Sequence, residues 1–251
     1  MIRNWQIRGD QFGALWHGAG QDRSPLPFSL VGSARTHDAH EREQEAIRAA
    51  FAVEEREGVR DAVRVLADPE VYVEISGETV DERPLRIIGA QVQRWSAVAV
   101  QLPGSNPEVG GDVVLGAGIT DDLAPLLIGV IPQNAGGSKT FARNDEPEPD
   151  HFSGSVLQSA GSVPAAPRFE DAVRAGYAGR GTIRVFRGPR HTRADLAMIR
   201  WFDLAGDGRY MIGPSDPHAA VPAGPRVLVD TLSTTLRRGI RVQREMAEQR
   251  W

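Results

Sequence analysis

Between Val71 and Gly118 four short apolar runs follow one another, "VYVEIS", "PLRIIGAQV", "WSAVAVQL" and "DVVLGAG", separated by Gly, Pro and Asn punctuation. This row of strands constrains the fold more than any other feature. It is preceded by the strand "WQIRG" and by three segments of helical spacing. These are "DQFGALWHGAG", with Asp10 as a possible cap, the charged "THDAHEREQEAIRAAFAVEEREG", and "VRDAVRVLADPE", ended by Asp68-Pro69. A further helix, "TDDLAPLLIGVI", follows with Thr120 as its cap. After it the order resumes: helix "RFEDAVRAGYAG", strands "GTIRVFRG", "ADLAMIRWFDL" and "RYMIG", and a long helix from about Pro222 onward. Runs of strands beside runs of helices predict an α+β fold with a central, mostly antiparallel β-sheet, flanking helices and two quasi-repeated halves. The expected organisation is one domain over residues 1–251, with halves at about 1–132 and 168–251. The Gly-, Pro- and acid-rich stretch 133–167 between them reads as a mobile crossing segment holding one strand, "SGSVLQS".

The chain is 41% hydrophobic and 25% charged, which suits a folded protein with a sizeable core. A net charge of −4 supplies no global basic field, so nucleic acid is not expected as a partner. Cysteine is absent, which removes disulfides, thiolate metal sites and a thiol nucleophile. No run of about 18 apolar residues suggests membrane insertion, and the first residues lack a signal-peptide core, so a cytoplasmic location is expected.

Chemical motifs mostly fail on inspection. "AGGSKT" at 135–140 resembles a phosphate loop, but Ser138 stands where the Walker pattern wants Gly. His37 and His40 share a helix face without an HExxH pattern, and neither a GxSxG elbow nor a strand-borne GxGxxG exists. No metal, no cofactor and no catalytic set is expected. Five arginines between Arg180 and Arg193 read as a local interface or solvated rim.

Asp207-Gly208 between apolar runs reads as a hairpin turn, because both residues tolerate positive φ. The strands beside it carry apolar side chains on both faces. If like faces align, Ile183, Val185, Ile199, Trp201 and Tyr210 form a core side. Arg184, Phe186, Met198, Arg200 and Phe202 then form the other, in residue types enriched at protein interfaces. That side either binds a partner or packs under the C-terminal helix. On that helix Leu228, Leu232, Leu236 and Ile240 recur at i+4, a stripe that serves as core or as partner groove. Leu236 and Ile240 join the candidate partner-binding set, and Gly239 marks a bend or a close approach.

Several of these residues also carry a resemblance. "GTIRVFRGPRHTRADLAMIRWFDLAGDGRYMI" is similar to the late strand region of the EspG family, through Gly181, the Arg187–Arg193 loop, Trp201-Phe202-Asp203 and Gly208-Arg209-Tyr210. Leu15-Trp16 and Leu26-Pro27, "VRVLADPEVYVEIS" and "SVPAAPRFEDAV" resemble further family elements in the same order, so the likeness spans nearly the whole chain. Thr182-Ile183 stands where the family often has Gln-Phe. The resemblance implies a cytoplasmic chaperone of ESX (type VII) secretion, a binder and not an enzyme. Such a protein shields the apolar tip of the PPE subunit of a PE–PPE-like helical substrate. The rival reading is an enzyme whose site is assembled from scattered His, Asp and Arg residues.

Overall fold

A computed structural model describes residues 2–32, 34, 36–106, 108–120, 122–139, 141 and 176–249. The nine strands among these residues lie in one sheet: β1 (Ile2–Ile7), β2 (Val71–Glu78), β3 (Pro84–Val92), β4 (Trp95–Pro103), β5 (Gly110–Ile119), β6 (Tyr177–Arg187), β7 (Ala194–Leu204), β8 (Gly208–Gly213) and β9 (Asp216–Pro222). Their spatial order is β1-β5-β4-β3-β2-β6-β7-β8-β9, and each neighbouring pair is antiparallel. Two four-strand meanders therefore meet at the β2–β6 ladder, where Val71 faces Arg187 and Glu78 faces Arg180. The α+β architecture with an antiparallel central sheet is the one the strand rows predict.

Helices cover both sides of this sheet. Among the described residues they are α1 (Gly9–Gly18), α2 (His37–Ala50), α3 (Glu57–Ala67), α4 (Ala124–Ile128) and α5 (Pro225–Glu248). On the first face Phe12, Trp16, Val63 and Leu66 from α1 and α3 bury against Tyr72, Ile88, Ala97, Leu115 and Phe186. On the second face α4 and α5 pack Leu127, Leu228, Leu232 and Leu236 onto Val73, Ile75, Ile87, Ile183, Val185, Ile199 and Trp201. Because both faces are covered at β2, Val71 to Ile75 are buried without alternation. A third small cluster holds Phe141, Leu204, Tyr210 and Ala220, with Phe202 and Ile212 against it.

Several local expectations change. The charged helix stops at Ala50, where Phe51 turns into the core, and a separate 3-10 turn over Glu54–Arg56 leads into α3. Thr36 caps α2 by accepting from the Ala39 N–H. Thr120 does not cap α4; its hydroxyl accepts from the Asp122 N–H, and Asp122 in turn accepts from the Ala124 N–H. Tyr177 to Gly179, expected at the end of a helix, open β6 instead. The rest of that helix expectation, 168–175, and the strand "SGSVLQS" lie outside the described residues. Strand β9 was illegible in "DPHAAVP" because Pro217 and Pro222 read as loop residues; proline is tolerated on an edge strand, and β9 is one. Gly239 is a close approach: a methyl there would sit 2.5 Å from Leu196 Cδ1 and 3.1 Å from Val71 Cγ1.

The turn after β7 corrects the face assignment. Leu204 pairs with Gly208, leaving a three-residue loop closed by the Asp207 N–H on the Leu204 carbonyl, with Gly206 at φ 71°. A two-residue Asp207-Gly208 loop would have set Tyr210 opposite Ala205, on the same face of the sheet as Trp201. The extra residue reverses that parity, so Phe202 faces Tyr210 and Asp203 faces Arg209. Tyr210 and Ile212 thus share the side of Arg200 and Phe202, while Arg209 and Met211 join Trp201.

Candidate partner-binding surface

The family-like residues around the β7–β8 hairpin turn out to be structural. Arg209, fully buried, donates from Nε and Nη2 to the two Asp203 oxygens at 2.7 and 2.8 Å. Its guanidinium lies 4.6 Å from the Trp201 ring centroid and donates again to the Pro132 carbonyl at 2.7 Å. A bidentate pair of this kind holds a charge inside the core only while both partners remain. Gly181 admits the Trp201 indole, which a methyl would meet at 2.7 Å.

Where described, "AGGSKT" is held along a strand edge rather than wrapped as a phosphate loop. Residues 135–139 are strapped to β8: Arg209 N–H donates to the Ala135 carbonyl, Gly137 N–H donates to the Arg209 carbonyl, and Lys139 N–H donates to the Tyr210 hydroxyl at 2.7 Å. The chain approaches so closely that a methyl on Gly137 would overlap the Tyr210 ring. Asp207 closes the strap, accepting from the Ser138 N–H (3.0 Å), the Ser138 hydroxyl (2.7 Å) and the Tyr210 hydroxyl (2.8 Å). Those hydrogen bonds hold its carboxyl down at about 2, with Lys139 Nζ at 3.7 Å adding to the effect. Residues 142–167 of the expected mobile segment lie outside the described residues.

The five arginines do not act as one rim. Arg190 plugs the first core: its guanidinium lies 4.0 Å from the Tyr72 ring and 5.0 Å from the Trp16 ring, donates to the Leu66 carbonyl at 2.8 Å, and reaches Glu74 at 3.4 Å. Burial pushes the Glu74 carboxyl up, against the opposing pull of Arg190, Arg193 and Arg184, and burial also pulls the Arg190 guanidinium down. Gly188 lets the loop tuck in, donating its N–H to the Glu70 carbonyl at 2.8 Å.

Of the seven candidate contact residues, four share one surface. Arg184 and Arg200 are exposed, Met198 is 52% exposed, and Phe202 is half-buried, all on the first face of β6 and β7 beyond the reach of α3. Cross-strand register sets Arg184 opposite Met198, and Arg200 between Thr182 and Ile212. A shallow groove of about 420 Å³ runs from Ser76 and Glu78 across Thr182 to Arg200 and Phe202. At its rim Glu78 accepts from Arg180 Nε at 2.7 Å and from the Tyr177 hydroxyl at 3.0 Å.

The other three candidates are placed elsewhere. Phe186 is a core residue: it is fully buried and stacks on Tyr72 with ring centroids 4.8 Å apart. The helices of the first half reach over β2 as far as this end of β6, so the face carrying Phe186 is covered there and open further along. Leu236, carried by α5, is likewise core, 2% exposed where the helix packs on the opposite face. Ile240 packs partly buried against the same second-face cluster. The structure therefore does not bring the helix stripe and the strand face into one site. Sequence alternation located the face; it held no signal for where the helices stop covering it.

Among the described residues no group of three His, Asp or Glu could hold a metal, and no helix is long and apolar enough to cross a membrane. The fold and surface define a helix-flanked antiparallel sheet whose buried charges fix hairpins and crossings. Its exposed candidates are arginine and apolar side chains, the chemistry of a protein-binding scaffold.

The chain belongs to the EspG family, whose sequence model matches residues 8–234. Among solved structures it is similar to the Mycobacterium tuberculosis type VII secretion system chaperone EspG5, solved in complex with the PE25-PPE41 dimer. The two share a TM-score of 0.54 and 12% identity, over 93% of this chain and 96% of that one. No curated protein matches in sequence.

Proposed function

We propose that this chain is a cytoplasmic secretion chaperone that binds helical type VII substrates of PE–PPE type, shields the apolar tip of the PPE subunit and keeps it soluble for export. The observation that carries the reading is the family match over residues 8–234. The shared fold with a chaperone solved on a PE–PPE dimer supports it. The activity is binding rather than catalysis. The surface best suited to it is the open face of β6 and β7, where Arg184 and Arg200 flank Met198 and Phe202. Arginine supplies charge-assisted hydrogen bonds to helix-end carbonyls, and Met and Phe supply apolar area at modest ordering cost.

Co-expression with PE–PPE pairs from the same genome, followed by size-exclusion chromatography, tests this. A co-eluting complex and a rise in soluble cargo are expected; failure of all such pairs to co-elute removes the chaperone reading. Met198→Glu and Arg200→Glu should each weaken the complex about tenfold, roughly 1–2 kcal/mol, with an unchanged melting temperature. If cargo binds both variants as it binds the parent chain, the function stands and this surface assignment falls.

A further inference from the structure

At the far end of the sheet from that surface lies a trough that the chaperone reading does not use. It encloses about 720 Å³ on the first face, within the range of known ligand sites. Its floor is a cross-strand apolar patch: Trp5 on β1 packs under α3, where a methyl on Gly58 would meet its ring at 2.6 Å, and Trp95 pairs with Ile119 at the β4–β5 end. Trp95 and Ile119 are each 50% exposed, although most apolar side chains of this face are buried.

The wall is acidic. Glu54, Glu55 and Glu57 are exposed and form no ion pair among the described residues, and Asp61 stands on the same flank, engaged by Arg64 at 3.0 Å. Among the described residues lining the trough Arg3 is the one cation, and it lies 5.7 Å from the Trp5 ring centroid. That contact shows how this floor treats a guanidinium: the indole face accepts it. Unpaired carboxylates over exposed indole and aliphatic surface select an occupant that is cationic and apolar together. They repel nucleic acid and anionic membranes, and they are strung along the wall rather than converged as metal ligands.

We propose that this trough docks a basic, apolar-anchored peptide segment of a partner protein, with Arg or Lys side chains along the Glu54–Glu57 wall and a Leu- or Phe-type anchor between Trp5 and Trp95. The site occupies β1, β5 and β4, with β3 and β2 between it and the open β6–β7 face, so both surfaces can be engaged at once.

The test uses the full chain and a fluorescein-labelled, blocked peptide of alternating arginine and leucine, followed by anisotropy. Saturable binding is expected. It should weaken about tenfold in Trp95→Ser and in the triple variant Glu54→Gln/Glu55→Gln/Glu57→Gln, all at exposed or half-exposed positions that leave the melting temperature in place. Arg200→Glu should bind the peptide as the parent chain does. Equal affinity for an arginine–serine peptide, or unchanged binding by the triple variant, overturns the proposal. So does loss of peptide binding in Arg200→Glu, which would merge the two surfaces. If the chain self-associates and the peptide dissociates it, a second copy is the occupant and the partner assignment is wrong.

Discussion

At the scale of single residues, the protein invests its unusual side chains in holding itself together. Arg209→Ala should strand the buried Asp203 carboxylate and cost about 3–5 kcal/mol, measured by denaturant unfolding. Phe186→Ala should cost a similar ~3–5 kcal/mol through the cavity left beside Tyr72. Phe186→Asp should unfold the chain, whereas Met198→Glu should not. Asp207 adds a pH dependence with a definite sign. Its carboxyl is held at about 2 in the folded state against an ordinary 3.8, so the unfolded chain binds the proton more readily. The stability Asp207 contributes is thus present above about pH 4 and lost as pH falls towards 2, and Asp207→Asn should remove that part of the acid limb. The residues Trp201, Asp203, Arg209 and Tyr210 were conspicuous in the sequence, but their purpose was not. A carboxylate and a guanidinium six positions apart disclose a buried pair only once the strand register is known.

Elements were legible wherever periodicity was strong, and failed at counts of one residue. Strand β3 begins and ends where the apolar run does, at Pro84 and Val92. The β8 strand was recognised yet assigned to the wrong side, because "AGDG" accommodates both a two- and a three-residue loop and only the longer one lets Asp203 meet Arg209. Gly206→Val, which places a β-branched residue at φ 71°, should strain this loop by about 1–2 kcal/mol, read as a lower melting temperature with the Phe202–Tyr210 pairing kept. The strap makes a complementary point. Gly136 and Gly137 looked like flexible punctuation, but their missing side chains permit the approach to β8 and the Tyr210 ring. Gly137→Val should displace the strap, seen as faster proteolysis around Lys139 with little change in the β2–β5 meander by hydrogen exchange.

At the scale of the whole molecule, α5 closes the second face for both meanders, since its leucines contact a cluster built from β2, β3, β6 and β7. Truncation before Pro225 should leave that face bare and yield aggregated protein, checked by light scattering. Nothing in the amino-acid pattern announced this shared role. The helix was plain, but two of its partner strands, β2 and β3, lie more than a hundred positions away, and the β2–β6 seam sets them beside β6 and β7. The two rims of the sheet differ in a way that governs what the molecule can build. β9 ends the sheet with Pro217 and Pro222, which donate no N–H, while β1 ends it with no proline at all. Accretion through backbone pairing is therefore blunt on one side and open on the other. Among the described strands, a second copy joining β1 to β1 uses the one proline-free rim of each, so such growth halts at a symmetric pair instead of propagating into a fibre.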